Sequence, residues 1–137
     1  MDMVRFGRTE LSVSVMGLGC GGPSRIGQGT EKTKSESVAI VRRALDAGVN
    51  FLDTAESYGT ESMIGEAIRG LARDNIVIST KKTYRKGITP QSLRKGLEES
   101  LNRLGTEYID IYNLHGVAAN DYPQLRTEIL PVFQELR

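Results

Sequence analysis

One cysteine, one histidine and no tryptophan occur in 137 residues, and lysine plus arginine (18) barely exceeds aspartate plus glutamate (17). A lone cysteine, Cys20, excludes an intrachain disulfide. With only His115 beside it, no cluster with the spacing of a metal site exists. A formal charge of +1 provides no global field to draw the chain to nucleic acid or a membrane surface, so the expected partner is a small molecule or another protein. No apolar run approaches the roughly 20 residues of a membrane span. No basic segment followed by an apolar one opens the chain as a secretory signal would, and a soluble protein in a reducing, cytoplasmic setting is expected. The length suits one folding unit over residues 1–137.

What is present is an alternation of short apolar runs with longer segments of helical period, the rhythm of βα units. Val4 to Val15 reads as a hairpin turning near Gly7. A first core strand over Val15 to Gly19 is followed by a loop rich in Gly, Ser, Pro and Thr reaching about Lys34. A helix from Ser35 carries Val38, Val41, Ala44 and Leu45 on one face and ends at Gly48. A second strand, Asn50 to Ala55, precedes a helix with Ile64, Ala67, Ile68 and Leu71 on one face, which Thr60 is placed to cap. A third strand is read at Asn75 to Thr80. Thr89-Pro90 marks a helix start, because the hydroxyl accepts an orphan N–H while proline loses no needed donor in the first turn. Leu93, Leu97, Leu101 and Leu104 form its apolar stripe up to Gly105. Tyr108 to His115 is the fourth strand, and Gln124 to Arg137 the fourth helix. The expected fold is α/β: about four βα units of the TIM-barrel type preceded by a β-hairpin.

In parallel α/β folds, ligands bind at the carboxyl ends of the strands. Alternation places Phe51, Asp53 and Ala55 on one face of the second strand, Val77, Ser79 and Lys81 on one face of the third, and Ile111, Asn113 and His115 on one face of the fourth. Asp53, Lys81 and His115 therefore converge at one mouth, where an Asp53–Lys81 ion pair offsets the cost of burying either charge. Lys82 is an alternative to Lys81, but adjacent residues of a strand face opposite ways. Tyr58, five residues after Asp53, can fold over the same mouth as a proton donor, and an adjacent ammonium favours its phenolate.

Three stretches, Phe51-Leu52-Asp53-Thr54-Ala55-Glu56-Ser57-Tyr58-Gly59, Val77-Ile78-Ser79-Thr80-Lys81 and Asp110-Ile111-Tyr112-Asn113-Leu114-His115, resemble in order and spacing the signature stretches of aldo-keto reductases. The opening Phe6 to Ser14 and Gly17-Leu18-Gly19 resemble that family's start. The resemblance implies NADPH-dependent reduction of a small carbonyl substrate at the mouth of a (β/α)₈ barrel. It implies Tyr58 as the acid, Lys81 and Asp53 as its tuning pair, His115 as the residue orienting the carbonyl, and Gly19, Asp53, Lys81 and His115 as part of the cofactor site. An eight-unit barrel typically needs about 250 residues. This chain has the residues of four units, the N-terminal half, and the cofactor contacts the family makes in its second half are absent from it.

Two open strand edges and an apolar face lead to the expectation of a homo-oligomer of half-barrels, with a piece of a longer chain as the plain alternative. A non-catalytic half-barrel, remnant or assembly subunit, is the competing function. Gly17-Leu18-Gly19-Cys20-Gly21-Gly22 also matches the G-x-G-x-x-G pattern of dinucleotide-binding folds, but that pattern needs a helix opening at the third glycine, and Pro23 to Thr30 reads as loop. Lys81 to Lys86 reads as a solvated basic loop able to meet a phosphate, and Cys20 as packing.

Overall fold

A computed structural model describes residues 1–137. Strands β1 (Met3–Arg5) and β2 (Ser12–Ser14) form an antiparallel hairpin with Gly7 at φ +59. Then follow β3 (Leu18–Gly19), α1 (Lys34–Asp46), β4 (Phe51–Asp53), α2 (Glu61–Ile68), β5 (Val77–Thr83), α3 (Pro90–Leu104), β6 (Ile111–His115), α4 (Tyr122–Glu128) and α5 (Leu130–Glu135). Strands β3 to β6 make one parallel sheet in sequence order, as successive right-handed βα units require. The hairpin seals the amino end of this sheet: Asn50 Nδ2 donates to Ser12 O at 3.0 Å, Ser14 N donates to Asn50 Oδ1 at 2.7 Å, and the Phe6 and Phe51 rings lie 5.6 Å apart. The outer face of the sheet packs on α1 and α2 through Val41, Leu52, Ile64, Ala67 and Ile78. A second apolar cluster joins Leu93 of α3 to Leu125, Ile129 and Val132. No helix is long and apolar enough to cross a membrane.

Local chemistry decided several boundaries. Thr33 caps α1 through a reciprocal bond with Glu36, and Thr89 caps α3 through the same arrangement with Ser92, with Pro90 in its first turn. Elsewhere tertiary demands overrode the local signals. The first core strand is only Leu18–Gly19, with Val15 and Met16 exposed, and the loop after it contains a 3₁₀ turn at Arg25–Thr30. Thr60 makes no cap bond; its hydroxyl pairs with that of Thr54 at 2.8 Å, closing the base of the loop between β4 and α2. Helix α2 stops at Ile68, leaving Leu71 outside and exposed. Strand β5 begins two residues later than Asn75 and runs on through Thr83, so the start of the basic run belongs to the strand. The face that α3 buries is Leu93, Gly96, Ser100 and Leu104, with Leu97 and Leu101 only half-buried. The last helix is two, because Pro131 enters the first turn of α5 without an N–H to continue α4.

Candidate active site

The carboxyl ends of β4, β5 and β6 meet at one mouth. Lys81 Nζ donates to Asp53 Oδ1 at 2.6 Å and to the carbonyl of Thr54 at 2.7 Å. Ser79 Oγ donates to the same Asp53 oxygen at 2.8 Å. The alternation of β4 and β5 fixes this geometry, since Asp53 stands opposite Ser79 in register and Lys81 is two residues further along the same face. Tyr58 lies on a 3₁₀ turn, Glu56–Tyr58, that folds back over the mouth and ends at Gly59, whose φ is +71. Its hydroxyl is 3.5 Å from His115 Nε2, the two rings meet edge to face at 5.4 Å, and Lys81 Nζ is 5.7 Å from the tyrosine ring centre. Ser57 Oγ lies 3.5 Å from His115 Nδ1, so the imidazole spans two hydroxyls of one turn. The four side chains singled out in the sequence are thus brought together, with Gly19 paired to Asp53 in register across β3 and β4.

Other residues acquire different roles. Lys82 points away from the mouth and pairs with Glu56 at 2.9 Å. Glu56 is half-buried; burial alone would raise its pKa, but hydrogen bonds from Lys82 and from the Thr83 N–H outweigh it and hold the carboxyl below its usual range. Asp110, inside the third stretch, lies at the amino end of the sheet, accepting from Arg73 Nη2 at 2.7 Å and from Ile78 N at 2.9 Å. Tyr112 faces outward, opposite Thr80 in register; burial pushes its phenol up, which leaves Tyr58 as the phenol at the mouth. Cys20 is wholly buried, and burial followed by the Asp53 charge pushes its thiol up to about 12, too high for a nucleophile.

Gly21 is the functional position that sequence reasoning missed. A Cβ there would lie 2.4 Å from Tyr58 Cε2, and one at Gly17 would lie 2.8 Å from Phe51 Cδ1. Gly17, the first glycine of the run that mimics a dinucleotide fingerprint, and Gly21, at one of its variable positions, therefore make room for two aromatic rings. The first full helix after them, α1, begins only at Lys34, so the pattern lacks the helix that would hold a pyrophosphate.

A hairpin-plugged parallel βα sheet with a carboxylate, an ammonium, a phenol and an imidazole at the carboxyl ends of its strands defines a chain of the (β/α)-barrel class. The family model "Aldo/keto reductase family" matches residues 16–137, and the chain belongs to that family. It is 32% identical to L-galactose dehydrogenase of Arabidopsis thaliana, covering 100% of this chain and 45% of that protein. It is 29% identical to the NADH-specific methylglyoxal reductase of Escherichia coli, covering 100% and 48%. Among solved structures it resembles aldo-keto reductase AKR11C1 from Bacillus halodurans in its holo form, with TM-score 0.81, 30% identity, and 99% of this chain against 46% of that one. It equally resembles a thermostable aldo-keto reductase solved with the inhibitor epalrestat, with TM-score 0.81, 32% identity, and 98% against 49%. The chain spans about half the length of the curated relatives it matches.

Proposed function

We propose that this chain reduces an aldehyde or ketone with NADPH, with Tyr58 as the general acid, in a reducing, cytoplasmic setting. The observation that carries the reading is the Tyr58 hydroxyl 3.5 Å from His115 Nε2, above a Lys81–Asp53 pair closed at 2.6 Å. The mouth fits the reacting end of a nicotinamide: the space over Gly19 is open, since a Cβ there would meet nothing within 4 Å, and Asp53, Lys81 and His115 stand around it. These four residues would hold that end, and the bound cofactor supplies the hydride. His115 Nε2 orients the substrate carbonyl toward Tyr58, whose hydroxyl gives its proton to the oxygen as negative charge develops there. Lys81 stabilises the charge left on the tyrosine, and Asp53, fixed by Ser79 and Lys81, holds the ammonium in place.

A second reading, a half-barrel without catalysis, is favoured by one observation: β3 and β6 are sheet edges with no further strand beside them. Beside β6 lies an apolar groove of about 510 Å³ walled by Tyr112, Leu114, Leu125 and Phe133. In the proposed reading a second copy of the chain covers these surfaces, because open edges and apolar faces favour association in water. Thermal unfolding with NADPH and with NADH, together with mass in solution, separates the readings. At 100 times its Kd a ligand of the folded state adds about 2.7 kcal/mol, a rise of roughly 8 °C in Tm for a chain of this size. NADPH-selective stabilisation of an oligomer supports the reductase; no shift with either nucleotide favours the half-barrel without catalysis. Tyr58→Phe should then abolish carbonyl reduction while leaving Tm within about 2 °C of the parent, since only a surface-reaching hydroxyl is lost.

A further inference from the structure

Two consecutive lysines end β5, and each makes an ion pair on a different side of the strand: Lys81 with Asp53 at the mouth, Lys82 with Glu56 behind it. The second pair has no part in the acid chemistry above, yet it is built with care. Glu56 Oε2 accepts from Lys82 Nζ at 2.9 Å and Oε1 from the backbone N–H of Thr83 at 2.8 Å, so both oxygens are used. Both side chains are about four-fifths shielded from water, 20% exposed for Lys82 and 17% for Glu56. The lysine stem lies on α3, where Gly96 leaves it room; a Cβ at that position would be 2.5 Å from Lys82 Cδ.

Glu56 is also the first residue of the 3₁₀ turn that carries Ser57 and Tyr58. The base of that loop is closed by the Thr54–Thr60 hydroxyl pair, and within the turn Tyr58 N donates to Ala55 O at 3.0 Å. Neither contact fixes the turn relative to β5. Glu56 does so, gripping the strand at Lys82 and Thr83, one and two residues beyond Lys81, while Thr83 stands opposite His115 in register. We propose that the Glu56–Lys82 pair is a positioning clamp that sets the Tyr58 hydroxyl against His115 and Lys81. The inference rests on the reading of Tyr58 as the acid, but its geometric content holds independently of turnover. Through the clamp, a rotation of the turn is resisted by two hydrogen bonds to a central strand, so the proton donor keeps its distance from the imidazole.

The sole histidine makes the test direct. In the full 137-residue protein, isotope-edited NMR reads the nuclear Overhauser contact between the Tyr58 ring and the His115 imidazole, assigned with Tyr58→Leu. Glu56→Gln retains an acceptor for Thr83 N–H but loses the charge partner of Lys82, and Lys82→Met removes the donor while leaving Glu56 intact; Lys82→Arg preserves the charge. The expected result is loss or strong weakening of the contact in Lys82→Met and Glu56→Gln, and its retention in Lys82→Arg, with the backbone spectrum of the sheet unchanged in all three. Where the protein turns over, kcat falls on the order of a hundredfold with KM little changed, the cost of misplacing a catalytic group by about 1 Å. A Tyr58–His115 contact of parental strength in both Lys82→Met and Glu56→Gln overturns the clamp. Loss of the contact in a protein that reduces no carbonyl keeps the clamp and removes the reductase reading, so the two failures are told apart. Should Glu56→Gln fail to fold, Lys82→Met alone decides, because its methionine keeps the apolar stem over Gly96.

Discussion

Arg103→Met attacks the most deeply buried carboxylate in the molecule. Glu61, at the start of α2, is 1% exposed and accepts from Thr80 Oγ1 at 2.6 Å and from Arg103 Nε at 2.6 Å. Those contacts join α2 to β5 next to Lys81 and to the last turn of α3. Removing one partner of a buried ion pair costs about 3–5 kcal/mol, because the other charge stays in a medium that solvates it poorly. Arg103 is 37% exposed, so water enters as the guanidinium leaves, and the expected loss is the lower end, about 3 kcal/mol. For an unfolding m value of about 2 kcal/mol/M in urea, the midpoint moves down by about 1.5 M. Glu61→Gln should cost less, about 1–2 kcal/mol, since the amide oxygen still accepts from Thr80 and the freed arginine reaches water. Urea titrations followed by circular dichroism decide it. An Arg103→Met midpoint within about 0.3 M of the parent, or a larger loss in Glu61→Gln, would refute the reasoning.

Gly21→Ala places a methyl where Tyr58 Cε2 lies 2.4 Å from the ideal Cβ, so the ring must move away from His115. Turnover or the Tyr58–His115 contact should be lost with little change in Tm, and an unchanged contact would show that the ring has slack. Glu56 titrates below the usual carboxylate value in the folded chain, so its contribution is complete above about pH 4.5 and is lost as pH falls through the lower folded value. The Tm gap between parent and Glu56→Gln should accordingly hold steady from neutral pH to about pH 5 and shrink in more acidic buffer. A gap unchanged down to about pH 3 refutes this assignment.

The elements that depend on neighbouring residues were readable in the sequence, and those that depend on distant ones were not. Thr89-Pro90 announced α3 because a cap is satisfied within one turn. Thr60 carries the same local signal, yet its hydroxyl is taken by Thr54, six residues away and across the loop. The leucines at 93, 97, 101 and 104 repeat with helical period, but close packing on β5 selects the small residues Gly96 and Ser100 for the buried face, where the Lys82 stem and the sheet approach the helix. Nothing in a hydrophobicity pattern marks a glycine as the place where another side chain lies. Gly21 goes unnoticed for the same reason: its absent side chain is filled by Tyr58, and the fingerprint in which it sits at a variable position is a coincidence of spacing.

The two lysines show where period-two reasoning succeeds and where it stops. Alternation, together with the resemblance of the Val77 to Lys81 stretch, assigns Lys81 to the mouth with Asp53, and the 2.6 Å pair follows from β4 and β5 lying in register. The same alternation sends Lys82 to the other face, but its partner lies on the turn beyond β4, reachable only because β5 continues to Thr83 past the end read from the sequence. A strand three residues longer turns a solvated basic loop into half of an ion pair. The carboxylate it holds is two residues from the tyrosine on which the proposed chemistry depends. Lengthening β5 by those residues therefore changes the site as much as the fold: with a strand ending at Thr80, neither Lys82 nor the Thr83 N–H would be fixed, and the turn bearing Tyr58 would lose both hydrogen bonds that tie Glu56 to β5.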